Sequence, residues 1–347
     1  MTFHFRTWLA GGVAALAFGM NAAHADTVLR MNNWLPPTHS QVVNTMLPWA
    51  KQVEEATQGR VKVEMTDASL GAPPRQYDLA VDGIADVVFG VLGYTPGRFQ
   101  LYKIAELPGA ESAESVSAAL WRTHEAHFAK ADEYKDVQLL ALFAHGSSRI
   151  MTSEKVGPVT TLEAYRGKKF RVGGAAAELV NQGLGGINVS APANEVYEMM
   201  ANGVVDGTLL PYEAYPSFNL TGVVKHSASV PGGLQFGVWF AAMKKDKFAS
   251  LSEEDQKALM SVSGEALSRL GARTFDNADK AGLEKMKADG VNVVDVDEAF
   301  VKGLAEALKP IEASWTENAT RLGVDAAAAK AMLREETAKV QAEITAV

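Results

Sequence analysis

From residue 26 onward, short apolar runs alternate with stretches in which apolar residues recur at helical spacing. "TVLRMNNW" reads as a strand, and "SQVVNTMLPWAKQVEEATQG" as an amphipathic helix with Ser40 as N-cap and Gly59 just past its end. Pro48 falls inside that helix and is expected to kink it. The strand "RVKVEM", the helix "PPRQYDLAVDG" and the apolar strand "ADVVFGVLG" complete a βαβαβ unit. The same order returns as strand "KKFRVGG", helix "AAAELVNQGLGG", strand "INVSA", helix "ANEVYEMMANG" and strand "VVDGTLLP". From Ser252 the pattern is helical over "SEEDQKALMSVSGEALSRLGARTFDNADKAGLEKMKADG", with Ser252 as N-cap and Asp255 at the capping-box position. The short strand "VNVVDV" and helices from about Asp297 follow.

The two α/β units look like copies. Laying "PPRQYDLAVDGIADVV" over "ANEVYEMMANGVVDGT" puts Gly83 on Gly203, Tyr77 on Tyr197, Asp78 on Glu198 and Asp86 on Asp206. In each copy glycine ends the helix and aspartate stands three residues on, at the start of the next strand. The reading is an α/β chain of two lobes with parallel sheets and a ligand cleft between them, bridged by the long helix after Ser252. Residues 26–145 with about 235–275 form one lobe; 146–234 with about 276–347, including the C-terminal helices, form the other.

Composition narrows the compartment. The opening residues carry Arg6, an apolar run from Trp8 to about Phe18 and the small-residue end Ala23-His24-Ala25, the form of a secretory signal peptide cleaved after Ala25. The chain has no cysteine, hence no disulfide and no lipid attachment point, and a free protein of the Gram-negative periplasm is expected. Loss of Arg6 with the signal moves the net charge from −8 to −9, and no basic patch appears, which argues against nucleic acid as partner. A soluble monomer is expected.

The chemistry concentrates at one position. In "YRGKKFRVGG", Arg171 lies between Phe170 and Val172 in a strand that reads as buried, and an unpaired guanidinium there costs several kcal/mol. Either an internal acid such as Asp206 compensates it, or a negatively charged ligand does. Gly173 and Gly174 after it would let a ligand approach the backbone, and an arginine fork matches a carboxylate in a way lysine does not. His145, Ser147 and Arg149 in "AHGSSRIMTS" fall where the chain crosses between lobes; Trp34, Tyr94, Tyr212, Phe236 and Trp239 lie near strand ends and turns and are candidate cleft residues. No phosphate loop, dinucleotide fingerprint or nucleophile elbow is complete. His124-Glu125-Ala126-His127 is one residue short of zinc-protease spacing and reads as a solvated helix face. No metal, cofactor or catalytic group is expected, and His145 is the one candidate base beside Arg171.

The pieces "NNWLPPTHS", "PWAKQVEEATQGRVKVE", "GYTPGRF", "AELPG", "LEAYRGKKFRV", "EVYEMMANGVVDG" and "PGGLQFGVWFAAMKKDKF" together resemble the solute-binding proteins of TRAP transporters, of the dicarboxylate-binding-protein type. The resemblance implies two α/β lobes closing on an organic acid, with Arg171, the arginine of the "K-x-R-V" strand, as the main salt bridge to its carboxylate, and delivery to membrane permease subunits driven by an ion gradient. Two departures bear on the cargo: Leu210 stands where many members carry a carboxylate-binding asparagine, and Arg149 does not match the second arginine of other members. The expected cargo is therefore a monocarboxylate, a 2-oxo or aromatic acid, held against Tyr94, Tyr212 and Trp239. A dicarboxylate is the alternative, as are a sensor subunit or an exported enzyme on the same scaffold.

Overall fold

The computed structural model describes residues 1–2, 27–95 and 97–346. The signal-peptide reading falls almost wholly outside the described residues. Among them the strands are β1 (Thr27–Met31), β2 (Val61–Met65), β3 (Val87–Val91), β4 (Val137–Ala144), β5 (Arg149–Thr152), β6 (Lys169–Val172), β7 (Ile187–Ser190), β8 (Gly207–Leu210), β9 (His226–Ser229), β10 (Val238–Lys244) and β11 (Asn292–Asp295). They build two sheets, β2-β1-β3-β10-β4 and β11-β9-β5-β8-β6-β7.

The sheets are mixed, a correction to the parallel sheets expected. β10 runs antiparallel to β3 and β4, and β5 antiparallel to β8 and β9. The chain leaves the first sheet after β4 to enter the second as β5, and returns after β9 to enter the first as β10. Each strand delivered across the gap runs against its new neighbours. The two crossing segments pair with each other: His145 N–H donates to Gly237 O (3.0 Å) and Ser148 N–H to Gln235 O (2.7 Å).

Side-chain alternation sets the layers. On β3 and β10, Val87, Phe89, Trp239 and Ala241 enter one core while Val88, Val238, Phe240 and Ala242 enter the core on the other face. Both faces of this sheet are covered, which explains the unbroken apolar run "VVFGV". In β6 the same alternation puts Phe170 and Val172 in the core and turns Arg171 to the opposite face.

The internal repeat is visible at the helix ends and following strand starts, although Tyr77 is buried and its counterpart Tyr197 is exposed. Gly83 (φ +72°) and Gly203 (φ +67°) both close their helices in the left-handed region. Asp86 N–H donates to Arg30 O (2.9 Å) while its carboxylate accepts from Arg30 N–H (2.8 Å); Asp206 makes the same pair with Lys169 O (2.8 Å) and Lys169 N–H (2.8 Å).

Three local expectations change. His39, not Ser40, opens the first helix, its Nδ1 accepting from Gln41 N–H (3.2 Å). Pro48 stands at the start of the α-helix Leu47–Ala56, after a π-helical turn Val42–Met46 whose wider winding accommodates a residue without an N–H. His124 is not on a solvated face: its Nδ1 is 2.8 Å from Tyr102 Oη, and burial lowers its pKa to about 4.

The helix after Ser252 is broken in two, Glu253–Ser261 and Gly264–Ala288, at Gly264 (φ +60°). Ser252 Oγ caps it by accepting from Asp255 N–H (3.1 Å), and the Asp255 carboxylate turns to Arg60 (2.8 Å). The longer segment is the strut between lobes. Its Gly271 O accepts from Gln41 Nε2 (2.8 Å) and its Asp276 from Ala113 N–H (2.8 Å) on the first-sheet side, while Asp279 accepts from Glu213 N–H (3.1 Å) on the second. The C-terminal helices do not stay with the second lobe as expected. Helix Glu298–Arg321 begins there with Phe300 and Leu304, but Trp315, Ala319, Ala329 and Leu333 join the first-sheet core, with Trp315 Nε1 donating to Leu101 O (2.8 Å).

Candidate functional site

The ends of β3, β6 and β8 and the two crossing segments converge between the sheets around a cavity of about 40 Å³. Arg171 is at its wall, 1% exposed although it is among the largest side chains so buried. Its register neighbours are Val189 and Thr208, so no acid flanks it in the sheet. Asp206, the internal partner considered above, is committed to Lys169 N–H. Arg171 Nε donates to Ala191 O (2.8 Å) and Nη2 to Tyr94 Oη (3.1 Å), and among the described residues no carboxylate pairs with it. Two of the five N–H groups of a guanidinium are thus bonded to protein, and the charge is uncompensated.

The lobes touch beside this arginine. A Cβ built on Gly93 would lie 2.7 Å from Gly174 Cα, and one on Gly173 would lie 2.7 Å from Arg171 Nη2. Only glycines allow the strand ends to meet and the guanidinium to lie flat along backbone. Tyr94 Oη also accepts from Ala193 N–H (2.9 Å), so one hydroxyl from the first lobe ties two groups of the second.

The rest of the wall is largely apolar: Val91, Phe236, Trp239, Leu209, Leu210 and Phe218. Trp239 is stacked between Trp34 (centroids 5.4 Å apart) and Phe143 (6.1 Å). His145 lines the cavity with Nδ1 2.6 Å from Gly146 O; burial first, then the Arg171 charge, holds its pKa down to about 4.

Arg171, Tyr94, His145, Phe236 and Trp239 are therefore brought together. The other four expected residues are not at the wall. Trp34 backs Trp239 and donates to Phe89 O (2.9 Å). Ser147 Oγ accepts from Leu234 N–H (3.2 Å) inside the crossing. Arg149 donates to Ser147 O (2.7 Å) and lies over the Tyr212 ring (4.8 Å), whose Oη is bonded to Ser229 Oγ (2.5 Å). These contacts hold the four side chains off the cavity wall, although Arg149 Nε has no partner among the described residues.

Three polar wall residues escaped the sequence reading: Glu106, Glu213 and Gln235. Glu106 Oε1 accepts from Val238 N–H (3.1 Å), and burial pushes its carboxyl up to about 7. Glu213 accepts from Ser217 Oγ (3.0 Å) and faces His39 Nε2 (3.7 Å); burial pushes it up to about 8. The signal was available, since each glutamate sits in an apolar run as Arg171 does, in "AELPG" and "PYEAYPSF".

A second, larger groove of about 880 Å³ lies between Ile104–Glu111 and the C-terminal helix. Its rim charges Lys330 and Arg334 are both paired with Glu312, so nothing there calls for an anion.

The family model for bacterial extracellular solute-binding proteins, family 7, matches residues 31–318. A protein named outer membrane transporter protein TsaT, from Comamonas testosteroni, is 31% identical over 97% of this chain and 99% of its own length. A TRAP periplasmic solute-binding protein of Bordetella bronchiseptica, solved with bound (R)- and (S)-mandelate, is 36% identical, with a TM-score of 0.87 over 90% of this chain and 99% of that one. A TRAP solute-binding protein of Rhodoferax ferrireducens, in complex with copurified benzoate, is 26% identical, with a TM-score of 0.83 over 90% and 98%.

Proposed function

The chain belongs to the bacterial extracellular solute-binding proteins of family 7, and on that premise we propose that it is the cargo-binding subunit of a TRAP-type transporter, capturing an aromatic monocarboxylate in the cleft between its lobes. The observation that carries this reading is Arg171, a buried guanidinium at the cavity wall with no carboxylate among the described residues to balance it. The cargo carboxylate supplies the missing charge. In a dry cleft a charge-assisted, bidentate pair of this kind is worth far more than at a wet surface.

One anchor favours one carboxylate. Arg149, in the crossing, donates Nη1 to backbone carbonyls, lies over the Tyr212 ring and is not at the cavity wall, and Leu210 offers no amide. The apolar remainder of the wall, with Trp239, Phe236 and Phe218, suits a flat ring. Mandelate and benzoate, bound by the two structural relatives, are both aromatic monoacids. His145 is neutral and engaged with Gly146 O, and among the described residues the cavity lining holds no serine, threonine, lysine or cysteine, so the reading is capture and release by lobe closure, in the periplasm, for membrane permease subunits.

The test is calorimetric titration and thermal unfolding of the mature protein with aromatic monoacids, 2-oxo acids and C4 dicarboxylates, repeated with Arg171→Ala. An aromatic monoacid at about 100 times its Kd should stabilise wild type by about 2.7 kcal/mol and leave the variant unmoved. Preference for a dicarboxylate would overturn the cargo class, turnover of the acid would turn the protein into an enzyme, and an equal response of the variant would remove Arg171 from the site.

A further inference from the structure

Once Arg171 takes the carboxylate, the polar groups left at the cavity wall are few, and most already have work. Tyr94 Oη holds Arg171 and Ala193 N–H. Gln235 Nε2 donates to Ser148 Oγ (2.7 Å). His145 is bonded at Nδ1, and its Nε2 side packs on Gly237, where a Cβ would collide with it. Glu213 accepts from Ser217 and faces His39. Two groups remain: the Trp239 indole N–H, which has no partner among the described residues, and Glu106. Glu106 comes from the first lobe, is 5% exposed, and among the described residues its carboxyl accepts one hydrogen bond, from Val238 N–H on Oε1. The other oxygen belongs to a side chain that lines the same cavity as Arg171 without pairing with it.

We propose that Glu106 is the specificity-determining residue that reads a hydroxyl group on the cargo, so that the preferred acid is an aromatic one carrying an OH besides its carboxylate. The inference rests on the capture of an aromatic acid argued above and adds the second polar contact of that same site. A closed cleft makes an unmatched carboxyl expensive, because water is excluded and the group keeps its need for a partner. An acid with only a ring and a carboxylate leaves Glu106 facing carbon. A hydroxyl donates to it when it is ionised and accepts from it when it is protonated, and burial pushes Glu106 up to about 7, where both forms are populated near neutrality. A second carboxylate on the cargo would instead meet an acid, which also fits a single-anchor cleft.

The experiment is titration of the mature chain with two matched pairs, mandelate against phenylacetate and 3-hydroxybenzoate against benzoate. Wild type should favour the hydroxylated member of at least one pair by about tenfold or more. Glu106→Leu should narrow that ratio to under about threefold by weakening the hydroxylated acid alone. Because it also strips Val238 N–H of its acceptor, Glu106→Gln, which keeps that acceptor, is run beside it. That variant should shift the hydroxylated acid by about threefold or more and leave its partner unmoved. Arg171→Ala should abolish binding of both members alike. If wild type binds both members of each pair equally, or the ratio survives both Glu106 substitutions, Glu106 is a structural brace and the inference fails while aromatic-acid capture stands. If no aromatic acid binds wild type, capture itself fails, and this inference with it.

Discussion

Substituting Gly93 by alanine isolates lobe closure from everything else the protein does. The added Cβ would lie 2.7 Å from Gly174 Cα and 2.8 Å from Gly173 O across the cleft. Carbon atoms rest at about 3.5–4.0 Å, so the strand ends must part by roughly 1 Å beside Arg171. Overpacking of this kind costs about 1–3 kcal/mol, which is a loss of about 5- to 150-fold in affinity if it falls wholly on the closed form. The open form should not notice, because Gly93 is not among the residues with positive φ and alanine fits its backbone. Gly174→Ala is the poorer choice, since φ there is +147° and strain would enter both states. Calorimetry gives the affinity, thermal unfolding without cargo gives the stability of the open form, and small-angle scattering gives the compaction on binding. The expected result is weaker binding with ligand-free stability within about 0.5 kcal/mol of wild type. Affinity within about twofold of wild type would mean that cargo is held without this contact. A matching loss of stability in the ligand-free protein would mean that the contact belongs to the fold, not to closure.

Other outcomes follow from the same geometry. Tyr94→Phe removes the hydroxyl that accepts from Arg171 and Ala193 across the cleft, and should weaken cargo binding by about tenfold in calorimetry while barely moving the ligand-free melting point. Asp86→Ala and Asp206→Ala each strip a carboxylate from a backbone N–H of the neighbouring strand, and chemical denaturation should show similar losses of about 1 kcal/mol; a neutral result for one would break the functional parity of the repeat. Burial raises Glu213 from 4.5 to about 8, so the folded state retains a proton that the unfolded chain releases, and stability falls as pH rises across that window. Glu213→Gln should therefore gain stability relative to wild type between pH 5 and pH 8, by up to a few kcal/mol, in denaturation curves across that range. A constant difference across the range would show that Glu213 is not the group being titrated.

Much of the scaffold could be read along the chain because its signals are local. The strand–helix–strand order, the left-handed glycines 83 and 203 and the aspartates 86 and 206 all act on neighbours within a few residues or on the adjacent strand. Arg171 stood out because a charge between Phe170 and Val172 contradicts its surroundings, and burial of the strand follows from composition alone. Glu106 and Glu213 carried the same contradiction, less visibly, in turn-rich segments where burial is not evident from pattern. The aromatic candidates divided, because an aromatic residue at a strand end serves equally well as wall or as backing. Trp239 reached the wall and Trp34 became the ring behind it.

By itself the sequence determined the element order, the repeat, which strands are buried and the presence of one cation within a buried strand. Periodicity and turn chemistry are properties of adjacent residues, and they need no knowledge of the rest of the chain. Only the tertiary structure decided what that cation meets: Asp206 is occupied elsewhere, Arg149 is tied down inside the crossing, and Glu106 arrives from the other lobe. It also decided that β10 and β5 run antiparallel and that Trp315 and the C-terminal helix return to the first sheet. These are pairings between residues tens to hundreds of positions apart, selected by how two sheets pack and where their crossings run. Local pattern records that a group is buried, and only the fold supplies its partner.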